Sequence, residues 1–295
     1  MSDTPASKSN QRRLARALDS DLWHNFITSP VAVISALLTL CFFASAVFAS
    51  YIAPHNPFDL ATISIMDASL PPAWLEGSDA RFVLGTDDQG RDIFSTIIFG
   101  ARISLFVGFA SVIFSMVLGI SLGLISGYVG GRLDAFIMRV ADIQLSFPAI
   151  LIALLIDGVA RGVLPREMHQ DVVFYVLIFA IGISGWVQYA RTVRGSTLVE
   201  RNKEYVQAAR VIGVSPWRIM TRHVLPNVLS PIMVSATLGI ANAIITESAL
   251  SFLGLGFPSD FPTWGRLLYD STNYIQQYPI RVIWPGLAIS LTVLS

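Results

Sequence analysis

The chain has 295 residues, 53% of them hydrophobic and 14% charged, with a mean hydropathy of +0.61. Soluble domains carry nearer ~25% charged residues, so an ordinary soluble domain is excluded and the composition is that of an integral membrane protein, whose solvent is lipid. Basic and acidic residues cancel to zero net charge, a lone Cys41 rules out an intrachain disulfide, and His24, His55, His169 and His223 show no metal-ligand spacing.

In chain order, residues 1–29 are polar, carry Lys8, Arg12, Arg13 and Arg16, and read as a disordered or interfacial cytoplasmic tail. Residues 30–54 contain no charge and form the first expected transmembrane helix. A cleaved signal peptide competes, with A-S-A at 44–46, but the apolar run exceeds the ~7–15 residues of a signal core. Residues 55–100 read as an extracytoplasmic loop with an interfacial helix. Within it, TDDQGRD (86–92) spaces its acids somewhat like a calcium loop, without the D-x-D-x-D-G order or the distal Glu. Those acids are read as starting the interfacial helix that leads into the next span.

Residues 101–295 then read as a core of five more transmembrane helices, all-α, giving six in total. The second, 103–131, is preceded or lined by Gly100, Gly108, Gly119, Gly123 and Gly127, which allow close helix packing. The third runs from Leu133 to Ile156. It would carry Asp142 ~12 Å deep, where an ionised residue costs about 2.5–3.5 kcal/mol. Either Arg139, one turn earlier, pairs with it, or Asp142 braces a gate with Phe147-Pro148 beyond it. The fourth is 172–190, and the fifth, 224–246, contains Pro231, which loosens a helix in a gate but also occurs in static bundles. The sixth, within 279–295, has about 16 apolar residues against the ~20 a crossing needs, so the chain reads as stopping inside its last span.

Thirteen of the twenty basic residues fall in the tail, around Arg132 and Arg139, and between 191 and 223. The positive-inside rule then places both termini and the 191–223 loop in the cytoplasm. In that loop, EYVQAARVIGVSPWRIMTRHVLPN (204–227) predicts two short helices. Asn202 before Lys203 and Glu204 reads as the start, and Tyr205, Ala208, Ala209 and Ile212 recur as one apolar face. Gly213 ends the first helix, Ser215-Pro216 restarts the second through Trp217, and Pro226 breaks it. On the residues alone this is either a basic loop that sets topology or a docking element. The two alanines and the sharp turn favour docking.

The stretch E-x-x-x-A-A-x-x-x-G followed by L-P resembles the signature loop of bacterial ATP-binding-cassette importer permeases, in the form seen in the dipeptide/oligopeptide branch. LGTDDQGRDIFSTIIFGARISLFVG (84–108), YVGGRLDAFIMRVADIQLSFPAILIALL (128–155) and ESALSFLGLGFPSDFPTWGRLL (247–268) are similar to the same branch, so the likeness covers residues 20–295. His223 departs from the isoleucine of the general signature, and the chain stops before the short cytoplasmic tail of such relatives.

The resemblance implies a type I importer permease fold in the bacterial inner membrane. It implies a coupling helix in which Glu204, Ala208, Ala209, Gly213 and Trp217 meet an ATPase, with Leu225-Pro226 leading force into the fifth span. Arg139, Asp142, Pro148, Pro231 and Glu247 are the gate or structural candidates. The implied partners are a second homologous permease, two ATPase subunits holding ATP and Mg, an extracytoplasmic solute-binding protein and the bilayer, with no nucleic acid. The cargo would be di- or oligopeptides, or alternatively nickel chelates or another small solute. The chain has no G-x-x-x-x-G-K-[ST], since its only lysines are Lys8 and Lys203, so it would bind no nucleotide by that route and would not be an enzyme. An ion-coupled secondary transporter would call for repeat symmetry and mid-span acid pairs, and a membrane enzyme for a catalytic set such as G-x-S-x-G; the sequence offers neither.

Overall fold

The computed structural model describes residues 21–59, 61, 63–165, 168–258 and 261–295. Lys8, Arg12, Arg13, Arg16 and most of the expected tail lie outside them, as does Arg166. Within the tail range, α1 (Asp21–Thr28) leads to α2 (Pro30–Val47), which Ser29 caps by accepting from the Ala32 amide at 3.4 Å and which Pro30 starts at a position where no amide is needed. Arg102 closes the other end of α2, donating to the Ala46 and Val47 carbonyls at 2.9 and 3.1 Å.

The segment after α2 holds a 3₁₀ turn, Ile65–Asp67, and a single antiparallel bridge between Thr86 and Asp92. The acids of 86–92 serve local turns. Asp87 accepts from the Gln89 and Arg91 amides and from the Arg91 guanidinium, while Asp92 caps α3 by accepting from the Ser95 amide at 3.0 Å. The helix expected to lead into the second span is therefore the first turns of that span itself, α3 (Ile93–Val129), 37 residues long.

α3 lies along α6 (His169–Glu200), and the glycines explain the closeness of the pair. A Cβ on Gly119 would stand 2.6 Å from the Trp186 carbonyl, on Gly123 2.4 Å from the Ala190 carbonyl, and on Gly127 2.7 Å from the Thr197 Cβ. Spaced by four, the three put one bare stripe of α3 against α6. Gly108 meets Ile244 and Gly100 the backbone at Pro262 in the same manner, so all five glycines pack closely.

The expected third span is broken. α4 (Gly131–Leu145) and α5 (Ala149–Val163) meet at 89°. Pro148 lacks an amide and pushes Phe147 out of helical conformation, which ends α4. Gln144 fixes the corner, donating to the Ile183 carbonyl at 2.6 Å and accepting from the Trp186 indole at 2.7 Å.

The fifth span is longer than its apolar run. A turn at Pro216–Arg218 and a π-helical turn at Ile219–Val224 run without a break into α8 (Leu225–Phe252). Beyond α8, Trp264 is fully buried, its indole donating to the Ile97 carbonyl at 3.0 Å, and it opens α9 (Trp264–Ser271), which α10 (Ile280–Leu294) follows. Among the described residues, four helices are long and apolar enough to cross a membrane, five with α4 and α5 taken as one, and α10 has 15 residues. The expected six is reached only by counting both the bent pair and α10.

Candidate functional site

The stretch singled out in the sequence forms a compact turn of chain between α6 and α8. Its first helix, α7, is Glu204–Val211. The start differs from expectation by one residue: Lys203 takes the capping position, and the Asn202 amide donates back to the Leu198 carbonyl of α6 at 3.0 Å. Gly213 ends the helix as expected, at φ +81. The Val214 amide reaches the Ala209 carbonyl and the Gly213 amide the Arg210 carbonyl, both at 3.0 Å, the paired closure that a left-handed glycine permits.

Ser215 has the extended backbone of an N-cap, but its hydroxyl makes no capping hydrogen bond, a departure from the expected role. Pro226 does not break the helix either. It falls where the π turn has already shifted the hydrogen-bond ladder, and the Asn227 side chain supplies a donor to the His223 carbonyl at 2.7 Å.

The apolar face splits in two. Val206, Ala209, Ile219, Met220 and Val224 are buried, and the partly buried Leu225 packs against the same core. Burying side chains of this size is worth about 1.5–3 kcal/mol each, enough to hold the bent pair as a unit. The other face is open. Glu204 and Ala208 are exposed, Val211 and Ile212 are 87% and 77% exposed, and Trp217 is 66% exposed. Ala208 and Ala209, expected on one face, therefore differ in surroundings, the first exposed and the second buried.

The unit is fastened to the spans by polar groups with no signal in sequence spacing. The Tyr205 hydroxyl donates to Glu200 at the end of α6, and the Asn227 amide of α8 donates to Tyr205 at 3.0 Å. Lys203 pairs with the other Glu200 oxygen at 2.8 Å. Burial of the hydroxyl, then the Glu200 carboxylate beside it, pushes the Tyr205 phenol up to about 12. Arg201 donates to the Gly127 carbonyl at 2.8 Å, a cation on the C-terminal end of α3, and Arg210 lies over the Tyr128 ring at 4.9 Å.

The gate candidates do not converge. Arg139 is exposed and is not the partner of Asp142, which pairs instead with Arg191 of α6 at 2.5 Å. The end of α4 points Asp142 across to a helix 49 residues later, a pairing that one-turn spacing could not anticipate. Pro148 makes the break, and Pro231 is exposed inside an unbroken α8. Glu247 is fully buried, accepting from Ser104 of α3 at 3.1 Å and Ser251 at 2.8 Å.

Residues 119–295 match the family of binding-protein-dependent transport system inner membrane components, and residues 20–72 match the N-terminal transmembrane domain of oligopeptide transport permease C. Among curated proteins, the chain is 38% identical to a di/tripeptide transport system permease protein DppC of Pseudomonas aeruginosa, over 93% of this chain and 86% of that one. It is 34% identical to the oligopeptide transport system permease protein OppC of Bacillus subtilis (98% and 88%) and 38% identical to the glutathione transport system permease protein GsiD of Pectobacterium atrosepticum (93% and 85%). Among solved structures, a chain of the MetNI methionine ABC transporter in inward-facing conformation aligns with a TM-score of 0.55 at 18% identity, covering 67% of this chain and 89% of that one. That likeness concerns the fold.

Proposed function

The chain belongs to the binding-protein-dependent transport system inner membrane components, and from that premise we propose that it forms half of the pathway by which an ATP-driven importer carries di- and oligopeptides across the bacterial inner membrane. It is a multi-pass membrane subunit and not a catalytic one. The observation that carries the coupling part of this reading is the open face of α7 and the following turn, where Ala208, Val211, Ile212 and Trp217 stand uncovered beside Glu204 outside the long apolar runs. An apolar patch rimmed by charge marks a protein interface. Its occupant in this reading is one of two ATPase subunits, which hold ATP and Mg, with a second permease across the pathway and a solute-binding protein on the far side.

In this reading the patch and both termini face the cytoplasm, as the seven basic residues of 191–223 favour. The bent pair passes ATPase closure into α8 directly, because no break separates Trp217 from the span. Relatives named for dipeptides, oligopeptides and glutathione support a peptide cargo.

The test is coexpression with the ATPases, second permease and binding protein of its transport system. Peptide uptake should require all of them, and Ile212→Asp with Trp217→Asp should release the ATPases and stop uptake. Arg222→Cys, on an exposed residue of the same loop outside that patch, should react with an impermeant maleimide only after permeabilisation. ATPase retention and full uptake in the double variant would refute the coupling surface, and labelling from outside would reverse the topology.

A further inference from the structure

A chamber of about 300 Å³ opens between α3, α6 and α8. Each helix gives it a pair of polar side chains one turn apart, Ser111 and Ser115 from α3, Ser184 and Gln188 from α6, Asn242 and Thr246 from α8, and α6 adds Tyr189. Three apolar helices have thus placed their polar steps at one level. Leu145 and Ala149, on either side of the 89° break, also line it, so an unbroken third span would run helix where the chain now turns aside. Among the described residues, no Asp, Glu, Lys, Arg or His lines the chamber.

Ser111 is fully buried and its hydroxyl has no hydrogen-bond partner among the described residues. A serine in a helix can return its hydroxyl to the carbonyl four residues back, and Ser115 uses its own on the Gly182 carbonyl at 2.7 Å. The Ser111 hydroxyl is itself closed to solvent, so it backs the chamber wall, and the groups a solute can reach are the exposed ones. The Gln188 and Asn242 amides are exposed and add donors and acceptors of the same neutral kind.

We propose that this chamber holds the backbone of a passing peptide through neutral hydrogen bonds and leaves its side chains unread. The inference rests on the peptide-importer reading and adds to it the residues and their chemistry. Neutral donors and acceptors match amide groups, which every peptide has. A fixed charge would repel one class of cargo side chain and retain the opposite class, whereas weak neutral contacts let cargo enter and leave.

The experiment measures uptake of three dipeptides, with neutral, acidic and basic side chains, by the complete transporter with its own binding protein. Asn242→Asp and Gln188→Glu each add a charge at constant shape on an exposed side chain. Each should lower the acidic-to-neutral uptake ratio about tenfold relative to wild type, the effect of a like charge several ångströms away at intermediate dielectric, and raise the basic-to-neutral ratio. Asn242→Ala should slow all three peptides alike, about fivefold, the loss of one hydrogen bond. The same variant should unfold no more easily than wild type, since it truncates an exposed side chain. A purely structural asparagine would give the stability result without the transport loss. Unchanged ratios in both isosteric variants, with full uptake in Asn242→Ala, would overturn the proposal alone. A wild-type complex that takes up none of the three peptides would overturn the importer reading as well.

Discussion

Tyr205 and Glu200 are joined across the turn that separates α6 from α7, the phenol donating to the carboxylate, and this contact fixes how the chain leaves α6. Tyr205→Phe should keep the ring and lose the fastening, at about 1 kcal/mol. Uptake should fall several-fold while expression holds. The phenol is raised to about 12 from an ordinary value of 10.0. A raised value means the folded state favours the protonated phenol, so its contribution is complete below pH 10 and is lost as pH climbs toward 12. In a tyrosinate titration of wild type against Tyr205→Phe, the missing component should ionise near the upper value; one ionising near pH 10 would contradict the clasp.

Gly213 offers a separate test, because nothing lies within 4 Å of a Cβ built on it while its φ is +81. Any penalty there is conformational and not steric. Gly213→Val should cost on the order of 1–3 kcal/mol in the turn, insert normally, and lose both uptake and ATPase retention. Gly213→Asn should recover much of both, since asparagine visits the left-handed region more readily than other side chains. Equal defects in the two variants would point to loss of a contact made only with the partner.

Two glycine-to-alanine changes should act in opposite directions. Gly123→Ala places a Cβ 2.4 Å from the Ala190 carbonyl, and should cost about 1–3 kcal/mol as α3 and α6 are forced apart. Gly158→Ala meets nothing within 4 Å in a helix interior, and should be neutral or stabilising by up to ~1 kcal/mol. Thermal unfolding of the two variants in the same detergent decides the matter.

Glu247 is held by hydroxyls of Ser104 and Ser251, with no basic side chain recorded as an ion-pair partner among the described residues. Glu247→Gln preserves volume and an acceptor oxygen, and should stay within about 1 kcal/mol of wild type. Glu247→Ala leaves a cavity and strands both serines, for about 2–5 kcal/mol. Equal stability of the two variants would show that the site collapses freely.

Much of this was legible in the sequence because it is local. The glycines of α3 declared close packing, and Gly213 declared the turn that ends α7; the second short helix expected from Ser215-Pro216 is instead the start of the long helix that runs to Phe252. The sequence also showed Phe147-Pro148, but a run of apolar residues on both sides hid the break that proline makes. Pairings across helices left no trace: Asp142 with Arg191, Tyr205 with Asn227, and the three polar steps of the chamber belong to elements that only tertiary packing brings together. Pro226 misled for a different reason. Its usual consequence was absorbed by a π turn, which composition does not announce.

The unbroken helix from Pro216 to Phe252 also has a leverage. Gly239 seats the Tyr189 hydroxyl 1.9 Å from where a Cβ would stand, the tightest approach of any glycine in the chain and a natural fulcrum. At 1.5 Å per residue, Trp217 lies about 33 Å to one side of it and Phe252 about 20 Å to the other. If the rod rocks on that point, a displacement at the Trp217 end reaches the far end reversed in direction and reduced to about six tenths. Asn242, about 5 Å from the fulcrum, hardly moves. The chamber wall at Asn242 would then stay still while the two ends of the rod swing in opposite senses. Distance labels at residues 217, 242 and 252, read against α6 through the transport cycle, should show large, negligible and intermediate excursions in that order.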